Sequence, residues 1–302
     1  MEEGTLRAGM RPWQMTFLTV VMGILTLPIV VGYLWILIST FSKRTHGLIP
    51  VDLDGNPFQG LTVENWSFLW EDPNIWKVTL NSFILALGLT IGVVLISALA
   101  GYALSRIGFP GRKGFLALTL ILHAFPSVTL LISIYFVLRW LSRIPVIGRG
   151  LPIIGGIGYN TLGGVILVML SLQLPLGIWL MKGFFDNIPW DMERAALIDG
   201  ASRFLVWRKI LLPQIKPGIA ALSIFTFIAG WNEFLIPYTY MTQQEKATIA
   251  TYLNSLLSDT APVNYSQVAA VGLFQLIPVM IFFVLTQEYL LSIFAGGVKG
   301  GT

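Results

Sequence analysis

Cysteine is absent from the 302 residues, so no disulfide, thiolate zinc site or cysteine nucleophile is available. Histidine occurs only as His46 and His123, too few and too isolated for a metal cluster, and no H-E-x-x-H pattern is present. A phosphate loop of the form G-x-x-x-x-G-K-[ST] is also missing, since "GGVKGG" near the C-terminus has the wrong order. No cofactor is therefore expected on this chain. Charge is scarce as well: 11% of residues are Asp, Glu, Lys or Arg, against about 25% in soluble domains. The net charge of +4 is small, which argues against a nucleic-acid partner.

What fills the chain instead is apolar. Hydrophobic residues make up 55% and the mean hydropathy is +0.75. No Asp, Glu, Lys or Arg lies between Arg11 and Lys43, nor within 78–105, 114–138, 150–181 or 260–287, and a sixth run after Lys216 is broken only by Glu233. A bilayer core of ~30 Å takes ~20 apolar residues as helix. The pattern predicts an all-α membrane protein with six transmembrane helices, near 14–41, 78–104, 115–138, 161–181, 217–240 and 267–287. The first run is too long for a signal-peptide core and lacks a clear cleavage site, so it reads as an uncleaved anchor. No short repeat or low-complexity segment interrupts the chain, and 1–302 reads as a single transmembrane domain.

The basic residues set the topology. With both termini in the cytoplasm, twelve Lys and Arg lie inside and seven outside, as the positive-inside rule favours. Segment 182–216, between the fourth and fifth helices, is then cytoplasmic. Outside, Trp66 and Trp70 stand four apart and suit an interfacial helix, while 139–160 is rich in Gly and Pro and should be irregular. In 242–260, Ile249, Tyr252, Leu253, Leu256 and Leu257 share one helical face. That face rests on the bilayer or a neighbouring helix, or else meets a partner outside.

The cytoplasmic stretch "NIPWDMERAALIDGASRFLVWRKILLPQIKP", 187–217, is a charged island. Pro189 suits a first helical turn, Asp191 and Glu193 suit its positive dipole end, and Gly200 suits a left-handed terminator. Ser202 can cap a second helix over 203–212, with Pro213 as its stop. Charges at Arg194, Asp199, Arg203, Arg208 and Lys209 keep the stretch out of lipid. Two readings remain at this point: a helix pair lying on the inner leaflet, or a docking helix whose small Ala195–Ala196 pair permits close approach to another protein. Elsewhere, Glu233 is the one acid inside a predicted span, about 24 Å along the helix from Lys216–Pro217. With Trp231 and Asn232 it lines a pore or subunit interface, or it snorkels at the outer rim. His123 is expected to hydrogen-bond within the bundle, and Pro126, Pro175 and Pro237 read as kinks.

The 187–217 stretch resembles the cytoplasmic motif of binding-protein-dependent ABC importer permeases, E-A-A-x-x-x-G followed at fixed spacing by I-x-L-P. Ala195, Ala196, Gly200, Ile210, Leu212 and Pro213 match, and Asp199 with Ala201 gives the common "DGA" extension. One position departs: Arg194 stands where the family has glutamate, and Glu193 lies one residue earlier, about 100° around the helix. "NSFILALGLTIGVVLISALAGYALSRIGFPGR" (81–112), "GWNEFLIP" (230–237) and "AGGVKG" (295–300) are similar to further segments of carbohydrate permeases, the last to the tail of the MalG-like subunit of maltose-type importers.

This resemblance implies a membrane subunit of a sugar importer in a bacterial or archaeal cytoplasmic (inner) membrane, for di- or oligosaccharides such as maltose, maltodextrin or trehalose. A glycerol-3-phosphate or monosaccharide importer is the alternative, and a secondary carrier or channel the reading from another class. The chain would be a transport subunit, not an enzyme. Its partners would be a second, MalF-like permease subunit, two copies of an ABC ATPase carrying ATP and Mg, an extracytoplasmic sugar-binding protein and membrane lipid. Segment 187–213 would supply the coupling helix, through Glu193, Arg194, Ala195, Ala196, Asp199, Gly200, Ile210, Leu212 and Pro213. In the tail, 295–302, Gly296, Gly297, Lys299 and Gly300 would contact the ATPases.

Overall fold

The structure, a computed structural model, describes residues 12–52, 54–145, 147–148, 150–151, 153–257 and 263–297, with side chains to Glu288 apart from Gln244. The chain divides into two compact units, one of residues 1–72 and 256–274, the other of 73–255 and 275–302.

In the first unit, helix α1 (Pro12–Thr40) leads into a small antiparallel hairpin of β1 (Arg44–His46) and β2 (Ile49–Val51), with Thr45 opposite Pro50. Gly47 makes the reversal at φ +61°, a conformation that disfavours other residues. The expected interfacial helix is reduced to a turn at Glu64–Trp66 and a short α2 (Phe68–Glu71). Trp66 stacks on Phe41 at 5.7 Å and on Phe68 at 6.1 Å, and Trp70 is exposed. The indole of Trp66 is thus used for local packing.

The second unit is built on α3 (Ile75–Arg106) and α6 (Leu162–Asp186). Gly101 lets their backbones meet: a Cβ there would lie 2.8 Å from the Lys182 nitrogen. Small residues at such crossings are how membrane helices gain packing when lipid is as apolar as the protein. The core around the pair includes Leu85, Leu89, Val93, Val165, Met181 and Phe185.

Between these two helices the third predicted span, 115–138, is broken. It forms α4 (Arg112–His123) and α5 (Ser127–Leu141), bent by 101°. Pro126 sits at the break in an extended conformation and cannot donate the hydrogen bond that would continue α4. After α6 come α7 (Trp190–Ile198), α8 (Arg203–Val206), a single π turn at Trp207–Leu211 and α9 (Leu212–Gln214). The expected stop at Pro213 is therefore passed. The π turn shifts the ladder just where the proline ring would strike the preceding carbonyl.

The fifth predicted span, 217–240, is also two pieces, α10 (Lys216–Asn232) and α11 (Leu235–Tyr240), separated at Glu233–Phe234. The amphipathic face expected over 249–257 condenses to α12 (Ile249–Ser255), whose Ile249 is buried, while Leu257 beyond it is 43% exposed. The last helix is α13 (Tyr265–Gly297). Among the described residues, four helices are long and apolar enough to cross a membrane: α1, α3, α6 and α13 through Glu288. The number rises to six if α4–α5 and the pair Arg203–Gln214 with Lys216–Asn232, bent by 75°, each count as one span.

Candidate functional site

Two places in the second unit hold the residues that the sequence singles out. The first is α7. Pro189 precedes it in an extended conformation and Trp190 starts the helix. Its end is a complete glycine stop: Gly200 at φ +86°, Gly200 N–H donating to the Leu197 carbonyl and Ala201 N–H to the Ala196 carbonyl. Ser202 then caps α8, its hydroxyl accepting from the Leu205 amide at 3.3 Å. Helix, glycine turn and cap stand where the sequence placed them.

The two sides of α7 differ sharply. Glu193 is buried at 3% exposure, and its Oε2 lies 3.2 Å from Arg106 Nε. Its Oε1 accepts from the Tyr102 hydroxyl at 2.8 Å. Arg106, the last residue of α3, also donates through Nη2 to the carbonyls of Phe185 and Ile188, and its guanidinium lies 4.6 Å from the Trp190 ring centre. Glu193 is thus an internal group, and its inclusion in an outward-facing docking set is corrected. Removing one partner of such a buried pair costs about 3–5 kcal/mol, because a charge is left uncompensated.

Facing out are Asp191, Met192, Arg194, Ala195, Ile198 and Asp199. Ile198 is 85% exposed, high for a large aliphatic side chain flanked by charges. Ala196 is half-buried and packs inward, as do Ile210 and Leu212, so only one alanine of the pair is on the open side. Gly296 and Gly297 close α13, while Lys299 and Gly300 lie outside the described residues.

The second place is a cavity of about 700 Å³ among α4, α5, α6 and the α10–α11 junction. Its wall is mostly leucine, isoleucine and valine, and its polar residues are His123, Ser127, Ser133, Ser171, Gln173 and Glu233. Two helix breaks and a proline border it: the break before Ser127, the break at Glu233, and Pro175 inside the continuous α6. His123 Nδ1 lies 3.1 Å from the Leu172 carbonyl, an acceptor that calls for a proton on Nδ1. Glu233 Oε1 accepts from the Ile236 amide at 3.0 Å and so caps α11.

The other two residues expected with Glu233 sit elsewhere. Trp231 is fully buried, donating to the Gln275 carbonyl at 2.8 Å and packed 4.7 Å from Phe83, so its place in a pore or subunit interface is corrected to the core. Asn232 accepts from the Gln275 side chain at 3.0 Å. Sequence reasoning used Arg106 only as a topology marker. An arginine ending one charge-free run, with an acid in a later loop, was the available signal for the pair.

Four long apolar helices, with shorter helices broken beside a mostly apolar cavity and a charged helix between apolar segments, define a polytopic membrane protein. Residues 92–292 match the family model described as binding-protein-dependent transport system inner membrane component, and the chain belongs to that family. It is 31% identical to the diacetylchitobiose uptake system permease protein NgcG of Streptomyces coelicolor over 281 residues, 91% of this chain and 84% of the relative. Identity to the maltose/maltodextrin transport system permease protein MalG of Salmonella typhimurium is 34% over 236 residues, 77% and 72% of the two chains. Among solved structures, one chain of a bacterial ABC transporter that imports the acidic polysaccharide alginate superposes with a TM-score of 0.74 at 20% identity, over 93% of this chain and 99% of that one. That likeness concerns the fold.

Proposed function

We propose that this chain is a permease subunit of an ATP-driven importer of di- or oligosaccharides, acting as one membrane unit across 1–302, with six spans and both termini in the cytoplasm. Family membership and relatives named for diacetylchitobiose and maltodextrin support the sugar class. The observation that carries the coupling role is the outer face of α7, where Ile198 and Ala195 stand exposed between Arg194 and Asp199 on a helix held firmly from behind. An exposed aliphatic side chain ringed by charges is suited to insertion in a protein cleft, with the charges fixing register.

In this reading α7 docks on an ABC ATPase that carries ATP and Mg, and the tail, 295–302, adds a second contact through Gly296, Gly297, Lys299 and Gly300. A MalF-like permease subunit completes the pore, and an extracytoplasmic binding protein delivers sugar. Closure of the two ATPase copies moves the docked helices and exposes the site to alternate sides as a rigid-body change. The cavity lined by His123, Gln173 and Glu233 is assigned to solute passage. Amide, imidazole and carboxylate groups satisfy sugar hydroxyls there, and interrupted helices in lipid are tolerated where they border such a cavity.

The test is assembly. Ile198→Asp or Ala195→Arg should cut recovery of the partner ATPase with the purified permease at least about tenfold, the size of a 1.4 kcal/mol contact loss, with membrane insertion unchanged. Wild-type ATPase recovery and sugar uptake in both variants would overturn the docking role.

A further inference from the structure

We infer that Arg106 is the positioning residue of the docking helix. Its guanidinium clasps α7 to the ends of α3 and α6, so the three elements move as one body. The inference rests on α7 being the docking helix.

The contacts run to three elements from a side chain that is 2% exposed. Nε pairs with Glu193 on α7 at 3.2 Å. Nη2 donates to the carbonyls of Phe185, at the end of α6, and Ile188, in the α6–α7 link, at 2.9 and 2.8 Å. The face of the guanidinium covers Trp190, the first residue of α7. One turn earlier on α3, Tyr102 holds the other oxygen of Glu193 at 2.8 Å. Beside this clasp Ser105 donates to Asp186, the last residue of α6, at 2.6 Å, and Asp186 pairs with Lys182.

The chemistry of the clasp suits transmission of force. A buried ion pair adds little net stability over apolar packing, but separating its partners leaves uncompensated buried charge, so the two are costly to move apart. The planar fork of arginine hydrogen-bonds two carbonyls while its charge stands beside a carboxylate, which a lysine ammonium on its flexible stem does not reproduce. Between Asp186 and Trp190 lie only Asn187, Ile188 and Pro189, a link that would otherwise bend under load. With Ile188 held by Arg106, a displacement of α7 passes into α6. That helix carries Ser171, Gln173 and Pro175 in the wall of the cavity. The clasp thereby joins the docking face to the passage site through one rigid element.

The experiment has two arms. Amide exchange over 190–199 is measured by mass spectrometry on the purified full chain without ATPase, comparing wild type with Arg106→Met, Arg106→Lys, Glu193→Gln and the reversed pair Arg106→Glu/Glu193→Arg. Arg106→Met and Arg106→Lys should speed exchange over 190–199 at least tenfold while 80–95 stays unchanged. Glu193→Gln, which keeps an acceptor for Tyr102, should speed it less, and the reversed pair should regain part of the protection. In the second arm, the assembled transporter in liposomes carrying Arg106→Lys should lose at least tenfold in sugar taken up per ATP hydrolysed, with the ATPase still bound.

Wild-type exchange in Arg106→Lys, or an unchanged uptake-to-ATP ratio, would overturn the positioning role. Should Arg106→Met fail to fold, Arg106→Lys carries both arms alone. The exchange arm needs no ATPase, so it judges the clasp even if Ile198→Asp shows that α7 docks nothing.

Discussion

Helices α1 and α3 are nearly equal in apolar character, with mean hydropathy 2.4 and 2.6 over their most apolar windows, yet none of that window is buried in α1 and 39% is buried in α3. Their glycines show why. A Cβ at Gly23 or Gly32 of α1 would meet nothing within 4 Å, whereas at Gly101 of α3 it would meet the α6 backbone, and at Gly88 the Ile166 side chain. Hydroxyls in both helices bond to their own turn, Thr26 in α1 to the Met22 carbonyl and Thr90 in α3 to that of Ala86. In α3, Ser82 also accepts from the Ile249 amide at 2.7 Å, tying in α12. Hydropathy therefore suits both helices to lipid, and the difference lies in what meets their small and hydroxylated residues, α6 and α12 in the case of α3.

The contrast can be broken directly. The largest effect is expected at the closest approach: Gly101→Leu should destabilise the detergent-solubilised chain by about 3 kcal/mol or more, as overpacking against backbone does, while Gly32→Leu stays within about 0.5 kcal/mol. Thermal unfolding followed by intrinsic tryptophan fluorescence would measure both, and equal midpoints would erase the distinction between the helices. Next comes truncation. Leu89→Ala, at a fully buried site of α3, should cost about 2–4 kcal/mol, and Leu25→Ala, 64% exposed on α1, close to zero. Denaturant midpoints of the two variants give the comparison, and a loss at Leu25 matching that at Leu89 would show α1 to be packed.

The smallest effect lies in the hairpin after α1. Asp52 accepts from the Asn56 side chain and from the amides of Asp54 and Asn56, and these bonds hold its carboxyl below the ordinary 3.8. A depressed value means that the stabilisation is present above pH 3.8 and is lost as pH falls through the lower folded-state value. Protection of the Asn56 amide should therefore fade below pH 3.8 and be missing at all pH values in Asp52→Ala. Amide exchange at steps of half a pH unit would show it, and protection that ignores pH would contradict the assignment.

Much of the candidate site was legible because its signals are local. Gly200 needs a positive φ, Ser202 offers a capping oxygen, and the spacing from Ala195 to Pro213 lies within one stretch of chain. Glu193 was misread for a complementary reason. Its helical position puts it one residue from the exposed face, but only the approach of Tyr102 and Arg106, about 90 residues earlier, turns it inward. The breaks at Pro126 and Glu233 were half visible, as a proline and as a lone acid, whereas hydropathy averages across both.

By itself the sequence determined the number and approximate place of the apolar runs, the charged island between two of them and the local shape of α7. Hydrophobic length, charge bias and capping chemistry act within a few turns of chain, so they can be read without a fold. Tertiary structure alone decided which face of α7 is free, that Trp231 belongs to the core, and that two helix breaks and a proline border the same cavity. Those outcomes depend on which surfaces meet, and in lipid that choice is made by close packing and paired polar groups rather than by hydropathy.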